Sequence, residues 1–313
     1  MNPLVSVIMP AFNAERFISN AIDSVLSQTF IDWELIIIND GSTDDTEKII
    51  SNYLKQDNRI YYVFQENGKQ GKARNRGIRM SRGKYLAFLD ADDLWTSKKL
   101  SSQIEQIESE NLDLIFSDFG LIDENNVVIN PSVGVVSGLH SGLSGLKPFF
   151  QQNRIPILTV LAKKDAIEKC GLFSEEPRVQ NAEDYHLWLK MLIRNCRFRS
   201  FSNISAYYRV HSDQNTSKDH FATISVLNAL ITLDVNDKTV SALRQDAVYR
   251  WLIRYFKTFS QRSDQLNPVF HYLSSESFLF RTVSGLIPLF GWKWEKRLML
   301  KFCQYKLWHT YEE

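Results

Sequence analysis

Apolar positions along the first hundred residues alternate between two periods. Leu4, Val5, Val7, Ile8 and Met9 form a short apolar run ended by Pro10, whereas Phe17, Ile18, Ala21, Ile22, Val25 and Leu26 recur at helical spacing. The first pattern predicts a strand and the second a helix. Glu34–Ile38 is a second apolar run, continuous enough for a strand buried on both faces, after which Asp40-Gly41-Ser42 turns the chain into a helix carrying Ile49, Ile50 and Tyr53. Ser42 with Asp45 three positions on has the form of a capping box. Ile60–Phe64 and Lys84–Leu89 repeat the strand signal on either side of a helical stretch from Ala73 to Met80. This alternation predicts an α/β fold with a mainly parallel sheet flanked by helices.

Past Trp95 the pattern predicts a helix with Leu100, Ile104 and Ile107, then a strand from Leu112 to Ser117. Asn125–Leu146 lacks Asp, Glu, Lys and Arg, but Pro131, Gly134, Gly138, Gly142 and Gly145 interrupt it, so loops and short strands are expected and not a membrane helix. A short strand near Leu158–Ala162, a helix bearing Leu187, Trp188, Met191 and Leu192, and a last strand at Ile204–Tyr208 follow. Strand signals stop near residue 216, and Leu227, Leu230 and Ile231, then Trp251, Leu252, Tyr255 and Phe256, recur at helical spacing. Two units are expected: residues 1–215 as an α/β domain and residues 216–313 as an α-helical C-terminal extension.

Composition narrows the class. The 313 residues are 44% hydrophobic and 23% charged, near the average for soluble globular proteins, and the formal net charge of +1 offers no global signal for nucleic acid. Cys170, Cys196 and Cys303 are too few and too scattered for a disulfide framework or a zinc cluster, which points to a reducing compartment. Met1–Val5 lacks the features of a secretory signal, so a cytoplasmic location is expected and the sequons at Asn203 and Asn215 are read as accidental.

Ligands of an open parallel sheet bind beyond the carboxyl ends of its strands, and there this sequence is acidic. Asp40-Gly41-Ser42 follows the second strand and Asp90-Ala91-Asp92-Asp93 the fourth. Taken alone, the first is a turn and helix cap. The second gathers three carboxylates in four residues, which repel one another unless a cation compensates. A hard divalent ion that also touches substrate phosphates suits such a cluster. No Gly-x-Gly-x-x-Gly follows the first strand and no P-loop sequence occurs, which argues against dinucleotide oxidoreductases and P-loop NTPases.

Val5–Asn13, Ile38–Asp44, Ala73–Gly77 and Phe88–Asp93, in this order and spacing, resemble the family 2 glycosyltransferases of GT-A fold over residues 4–215. The resemblance implies transfer of a sugar, with inversion, from a nucleoside diphosphate donor, most simply a UDP-sugar, with Mn²⁺ or Mg²⁺ as cofactor. It places Pro10, Phe12, Asn13 and Glu15 in the loop beside the nucleotide, with Phe12 where Tyr is commoner. Asp40 matches the carboxylate that reads the base, and Arg74 a position close to the nucleotide. Asp90 and Asp92 match the Asp-x-Asp pair, Asp92 as direct metal ligand, with Asp93 able to exchange roles, and Asp90 as ribose or outer-shell contact. Asn181–Tyr185 resembles the acceptor-site motif, with Asp184 as catalytic base and Glu183 on the acceptor side. Tyr208–His211 resembles a late motif in which His211 completes the metal shell or touches the diphosphate.

Two rival readings are a nucleotidyltransferase, which lacks its Gly-rich basic loop here, and a non-catalytic carbohydrate-binding scaffold, which would not need Asp92 and Asp184. The implied partners are the donor and a glycan or lipid-linked glycan acceptor in polysaccharide, O-antigen or glycolipid assembly. Residues 216–313 hold 13 Lys+Arg against 9 Asp+Glu, leaving −3 for residues 1–215. Between Arg281 and Trp308, cations interleave with Phe290, Trp292, Trp294, Phe302, Tyr305 and Trp308, a mixture suited to the anionic inner face of a membrane or to packing on the catalytic domain.

Overall fold

A computed structural model describes residues 2–135, 137–212, 220–259, 263–277 and 291–309, without the side chains of residues 220, 291–295 and 308–309. β1 (Val5–Ala11), β2 (Trp33–Asn39), β3 (Ile60–Phe64) and β4 (Tyr85–Phe88) alternate with α1 (Ile18–Leu26), α2 (Thr46–Leu54) and α3 (Lys69–Met80). The four strands run parallel: β1 lies between β2 and β4, with Val7 opposite both Leu35 and Ala87, and β3 flanks β2. Every residue of β1 and β2 is buried, as their unbroken apolar runs require. Pro10 is tolerated in this central strand because β1 pairs with β4 only as far as Ile8–Phe88. The N–H that proline lacks falls beyond the ladder on that side.

β5 (Leu94–Trp95), α4 (Lys99–Ser109), β6 (Leu114–Ile122), β7 (Val128–Asn130), β8 (Gly138–His140), α5 (Gly142–Gln151), β9 (Leu161–Lys163), α6 (Lys164–Lys169), α7 (Glu183–Ile193) and β10 (Phe198–Arg209) complete the α/β part. The sheet order is β3-β2-β1-β4-β9-β6-β10-β5, with β7 added to β6 and β8 to β10. β9 is antiparallel to both β4 and β6, whereas β6 and β10 are parallel. The sheet is therefore mainly parallel, with short antiparallel strands in its second half.

Three local expectations are corrected. Ser42 makes no capping box: α2 starts at Thr46 with Asp45 as its cap residue and no side-chain cap bond, and the Ser42 hydroxyl instead accepts the Asn13 N–H at 3.0 Å. Helix α3 starts at Lys69, before Ala73, because the Asp40 carboxylate accepts the N–H groups of Gly68 and Lys69 at 2.8 Å each and satisfies its first turn. The uncharged segment, expected as loops and short strands, holds β7 and β8 and also opens α5.

The core has two faces. Val5, Val7, Met9, Ile18, Ile22, Leu100 and Ile104 pack on one side. On the other, Ile8, Ile36 and Phe88 join Trp188 and then Leu227, Val248, Phe256 and Met299. The last four belong to α8 (His220–Ile231), α9 (Lys238–Thr258) and α11 (Gly291–His309), which with α10 (Asn267–Glu276) form the C-terminal helices. These helices share the core of the α/β part, while the expected boundary at residue 215 lies outside the described residues. So do residues 281–290 of the stretch read as membrane-facing. Within α11, Phe302 is buried edge-on against Tyr249, 6.0 Å between ring centres, Lys306 lies over the Phe302 ring, and Lys296 donates to the Phe259 carbonyl at 2.9 Å. Packing therefore occupies these groups. No helix among the described residues is long and apolar enough to cross a membrane.

Candidate active site

The loops after β1 and β2 are laced to each other. Asn13 Oδ1 accepts the Thr43 N–H at 2.8 Å, Asp44 Oδ2 accepts the Glu15 N–H at 3.0 Å, and Glu15 Oε2 accepts the Asp45 N–H at 2.9 Å. Asn13 holds a left-handed conformation, φ 47°, which asparagine tolerates better than most residues. Pro10 is buried beneath this shelf, whereas Phe12 presents its ring to solvent. Asp40 is buried below it and accepts from Gln65 Nε2 at 2.6 Å as well as from Gly68 and Lys69.

Beyond β4 the acidic cluster divides by environment. Asp93 is buried and its Oδ1 accepts the Arg209 N–H at 2.9 Å. Burial, with Asp92 and Asp90 adding, raises its pKa well above the usual carboxylate value. Asp92 keeps about a third of its side chain exposed, 34%, and its Oδ2 lies 3.1 Å from His211 Nε2. Its pKa is raised by burial and by the charge of Asp90, against the His211 hydrogen bond. Phe17 supports His211 at 5.0 Å between ring centres and lies under the Arg209 guanidinium at 4.6 Å, while Arg209 donates to the carbonyls of Asp92 and Asp123 at 2.6 and 2.9 Å.

Asp90 leads to the other side of the site. Its Oδ1 accepts from Arg74 at 2.7 Å, and the opposite nitrogen of that guanidinium donates to Glu183 Oε1 at 2.8 Å. Arg74 is 2% exposed; burial works against its charge, but Asp90 and Glu183 more than offset this and raise its pKa. Glu183 is thus buried beneath the site and not turned outward to an acceptor. Asp184, next to it at the start of α7, accepts the Tyr185 N–H at 2.6 Å and the Asn153 side-chain amide at 3.2 Å. Burial, then the Glu183 charge, push its carboxyl up to about 6, with Arg74 and the two hydrogen bonds opposing.

The site's place follows from this chemistry and not from cavity size. A cleft of about 600 Å³ bounded by Lys84, Glu108, Lys163 and Asp165 sits at the other end of β4. Its lysines are already paired, Lys84 with Glu108 at 3.2 Å and Lys163 with Asp113 at 3.3 Å.

Asp40, Asp90, Asp92 and Asp93 fall inside a recognised sequence pattern, which ends before Glu183 and Asp184: the model of glycosyl transferase family 2 matches residues 6–162. The chain belongs to glycosyl transferase family 2. This glycosyltransferase is 30% identical over 216 residues to "Putative teichuronic acid biosynthesis glycosyltransferase TuaG" of Bacillus subtilis, a match covering 69% of this chain and 82% of that one. It is 31% identical over 234 residues to "UDP-Glc:alpha-D-GlcNAc-diphosphoundecaprenol beta-1,3-glucosyltransferase WfaP" of Escherichia coli, covering 74% and 87%. Its fold resembles that of S. aureus TarS 1–349 in complex with UDP-GlcNAc, with a TM-score of 0.65 at 18% identity over 98% of this chain and 88% of that one. The GT-A-like fold expected from the sequence is thus observed.

In the glycosyltransferase frame, Asp92 and His211 meet, Asp90 joins them to Arg74, and Arg74 reaches Glu183 beside Asp184. Among the described residues no three His, Cys, Asp or Glu side chains are gathered as a metal-holding group. Hard carboxylate oxygens with one imidazole nitrogen nonetheless fit Mn²⁺ or Mg²⁺, and Asp90, Asp92 and Asp93 gather after β4 negative charge that a cation would compensate. Sequence reasoning missed Asn153, Phe17 and Arg209. Arg209 sits within a motif singled out for its histidine, whereas nothing in the sequence marks Asn153.

Proposed function

We propose that this family 2 glycosyltransferase is a divalent-metal-dependent, inverting enzyme that moves a sugar from a UDP-sugar to a hydroxyl of a glycan or lipid-linked glycan acceptor. The observation that carries the reading is the division of labour across the site. A partly exposed carboxylate–imidazole pair, Asp92 with His211, stands on one side, and a carboxyl raised to about 6, Asp184, on the other. The donors named for WfaP and present with TarS are UDP-sugars, and this supports the same donor class here.

Asp92 and His211 would hold the cation, with Asp90 beside them. Such an ion stabilises the negative charge that develops on a leaving diphosphate. Asp40 already accepts three hydrogen bonds, so of the about four lone-pair sites on a carboxylate one is left for the N–H of a pyrimidine base. The exposed Phe12 ring offers an apolar edge to the same base. Asp184 takes the proton of the acceptor hydroxyl, and a pKa near 6 leaves it ionised yet basic at neutral pH. The Asn153 amide fixes which way its second oxygen points. Arg74 pairs with both Asp90 and Glu183 and holds the two sides in register. We place the enzyme at the cytoplasmic face of a membrane, where a lipid-linked acceptor is met.

Incubation with a panel of UDP-sugars and Mn²⁺, with and without lipid-linked glycans, tests the proposal by UDP release and product analysis. Release stimulated by acceptor and abolished by chelator is the expected result. Transfer that proceeds undiminished in a chelator would remove the metal from the scheme.

A further inference from the structure

Residues 170–182 carry the chain from α6 to the first turn of α7, where Asp184 sits. Apart from a three-residue 3₁₀ turn at Pro177–Val179 this segment is irregular, and Gly171, Leu172 and Asn181 hold left-handed backbone at φ 81°, 60° and 67°. Leucine disfavours that conformation, so contacts from outside the segment have to hold it in place.

Asn75 of α3 supplies them. Its side-chain amide donates to the Phe173 carbonyl at 2.9 Å and to Glu175 Oε1 at 2.8 Å, while its Oδ1 accepts the Phe173 N–H at 3.0 Å. Both backbone groups of Phe173 are thereby paired by one buried side chain. The orientation of the amide is forced, because turning it over would set donor against donor and acceptor against acceptor. The same helix face conforms to the segment on either side of Asn75. A Cβ on Gly71 would lie 2.6 Å from the Ser174 carbonyl oxygen, so glycine is what lets the two backbones approach. One turn beyond Asn75, Arg79 pairs with Glu175 at 3.2 Å.

Phe173 passes this hold to both sides of the site. Its ring meets Phe88, at the end of β4 and just before Asp90, edge-on at 5.4 Å between ring centres, and meets Trp188 of α7 edge-on at 6.0 Å. Trp188 lies about one helical turn beyond Asp184 on the same side of α7. The donor side has anchors of its own: Asp40 accepts from Gly68 and Lys69 at the start of α3, and Arg74 holds Asp90. None of these bonds passes through the Asn75 amide.

We propose that Asn75 is a positioning residue for the acceptor side: by fixing Phe173 it sets where α7 and Asp184 stand relative to the donor. The proposal rests on Asp184 as the base of the transfer reaction. Displacing a reacting group by about 1 Å costs on the order of 100-fold in rate, so loosening the segment acts on turnover and leaves donor binding alone.

Asn75→Ala is expected to lower kcat by about 100-fold with an unchanged donor KM, both measured well below the unfolding midpoint. Hydrogen exchange judges the hold without any turnover: amides of residues 172–182 are expected to exchange at least about tenfold faster than in the native chain, and those of residues 68–74 at the native rate. If Asn75→Ala does not fold, Asn75→Asp combined with Glu175→Gln makes the same comparison. That pair preserves the net charge and restores a donor and an acceptor between positions 75 and 175, but leaves the Phe173 carbonyl without its donor. A folded variant with native kcat, a donor KM that rises as kcat falls, or unchanged exchange over residues 172–182 would overturn the proposal. A native chain that transfers sugar from no donor would sink the glycosyl-transfer reading instead, and the exchange rates would still decide whether Asn75 holds the segment.

Discussion

Glu183 Oε1 accepts a hydrogen bond from the Arg74 guanidinium at 2.8 Å with both side chains buried. Because the other end of the same guanidinium holds Asp90, one cation joins the loop after β4 to the first turn of α7.

Removing that cation leaves two carboxylates without compensation. Arg74→Gln is expected to destabilise the fold by about 3–5 kcal/mol, the usual cost of breaking a buried pair from one side. Denaturant unfolding measures it. Arg74 also lowers the Asp184 pKa, so the acid limb of the pH–rate profile should move to higher pH in any Arg74→Gln protein that remains folded.

Asp184→Asn is expected to reduce kcat by roughly 10²–10⁴-fold while donor affinity changes little. Single-turnover kinetics with calorimetric donor binding separates the two. In the native enzyme the rate should rise as pH increases through about 6, where Asp184 loses its proton.

The same carboxyl has an opposite effect on stability. Its folded pKa of about 6 lies above the ordinary 3.8, so the fold prefers the protonated form and loses stability as pH rises between these values. Asp184→Asn should therefore be more stable than the native chain at pH 8, by roughly 1–3 kcal/mol, and the advantage should vanish near pH 4. Thermal unfolding at the two pH values decides it.

Metal affinity should separate Asp92 from its neighbour. Asp92→Ala is expected to abolish Mn²⁺-dependent turnover, and His211→Ala to weaken the apparent metal affinity by about 10–100-fold. Asp93→Leu should chiefly lower stability, because it leaves the buried Arg209 N–H without its acceptor. Metal titrations of activity, paired with unfolding curves, distinguish the three.

A glycine sets the spacing of α3. A Cβ on Gly77 would lie 2.6 Å from Ile8 Cγ2 in the middle of β1. Gly77→Ala should cost about 1–3 kcal/mol through overpacking, and because Arg74 rides on the same helix, turnover should fall with it. Comparing kcat well below the unfolding midpoint shows whether the helix has shifted.

The alternating periods of Val5–Phe88 revealed the parallel half of the sheet because β1, β2 and β4 are buried along their whole length, while the edge strand β3, buried only at Ile60, still reads as an apolar run. β9 and α5 were less legible: β9 has three residues and α5 carries Pro148 within it, so neither is long enough or regular enough to show a period. At the site, residues whose type announces chemistry, such as Asp90, Asp92 and Asp184, stood out. Glu183 looked equally chemical, yet its role is set by a partner 109 positions away, Arg74, and no local pattern encodes such a distance. Asn153 was invisible for the same reason.

The lacing of Asn13 and Glu15 to Thr43, Asp44 and Asp45 also bears on engineering. Each loop supplies the partners that the other's backbone requires, so the two behave as one module. Grafting a foreign loop after β1 to alter donor choice would strand the N–H groups of Thr43 and Asp45. A graft that carries both loops together is the one that should keep its shape.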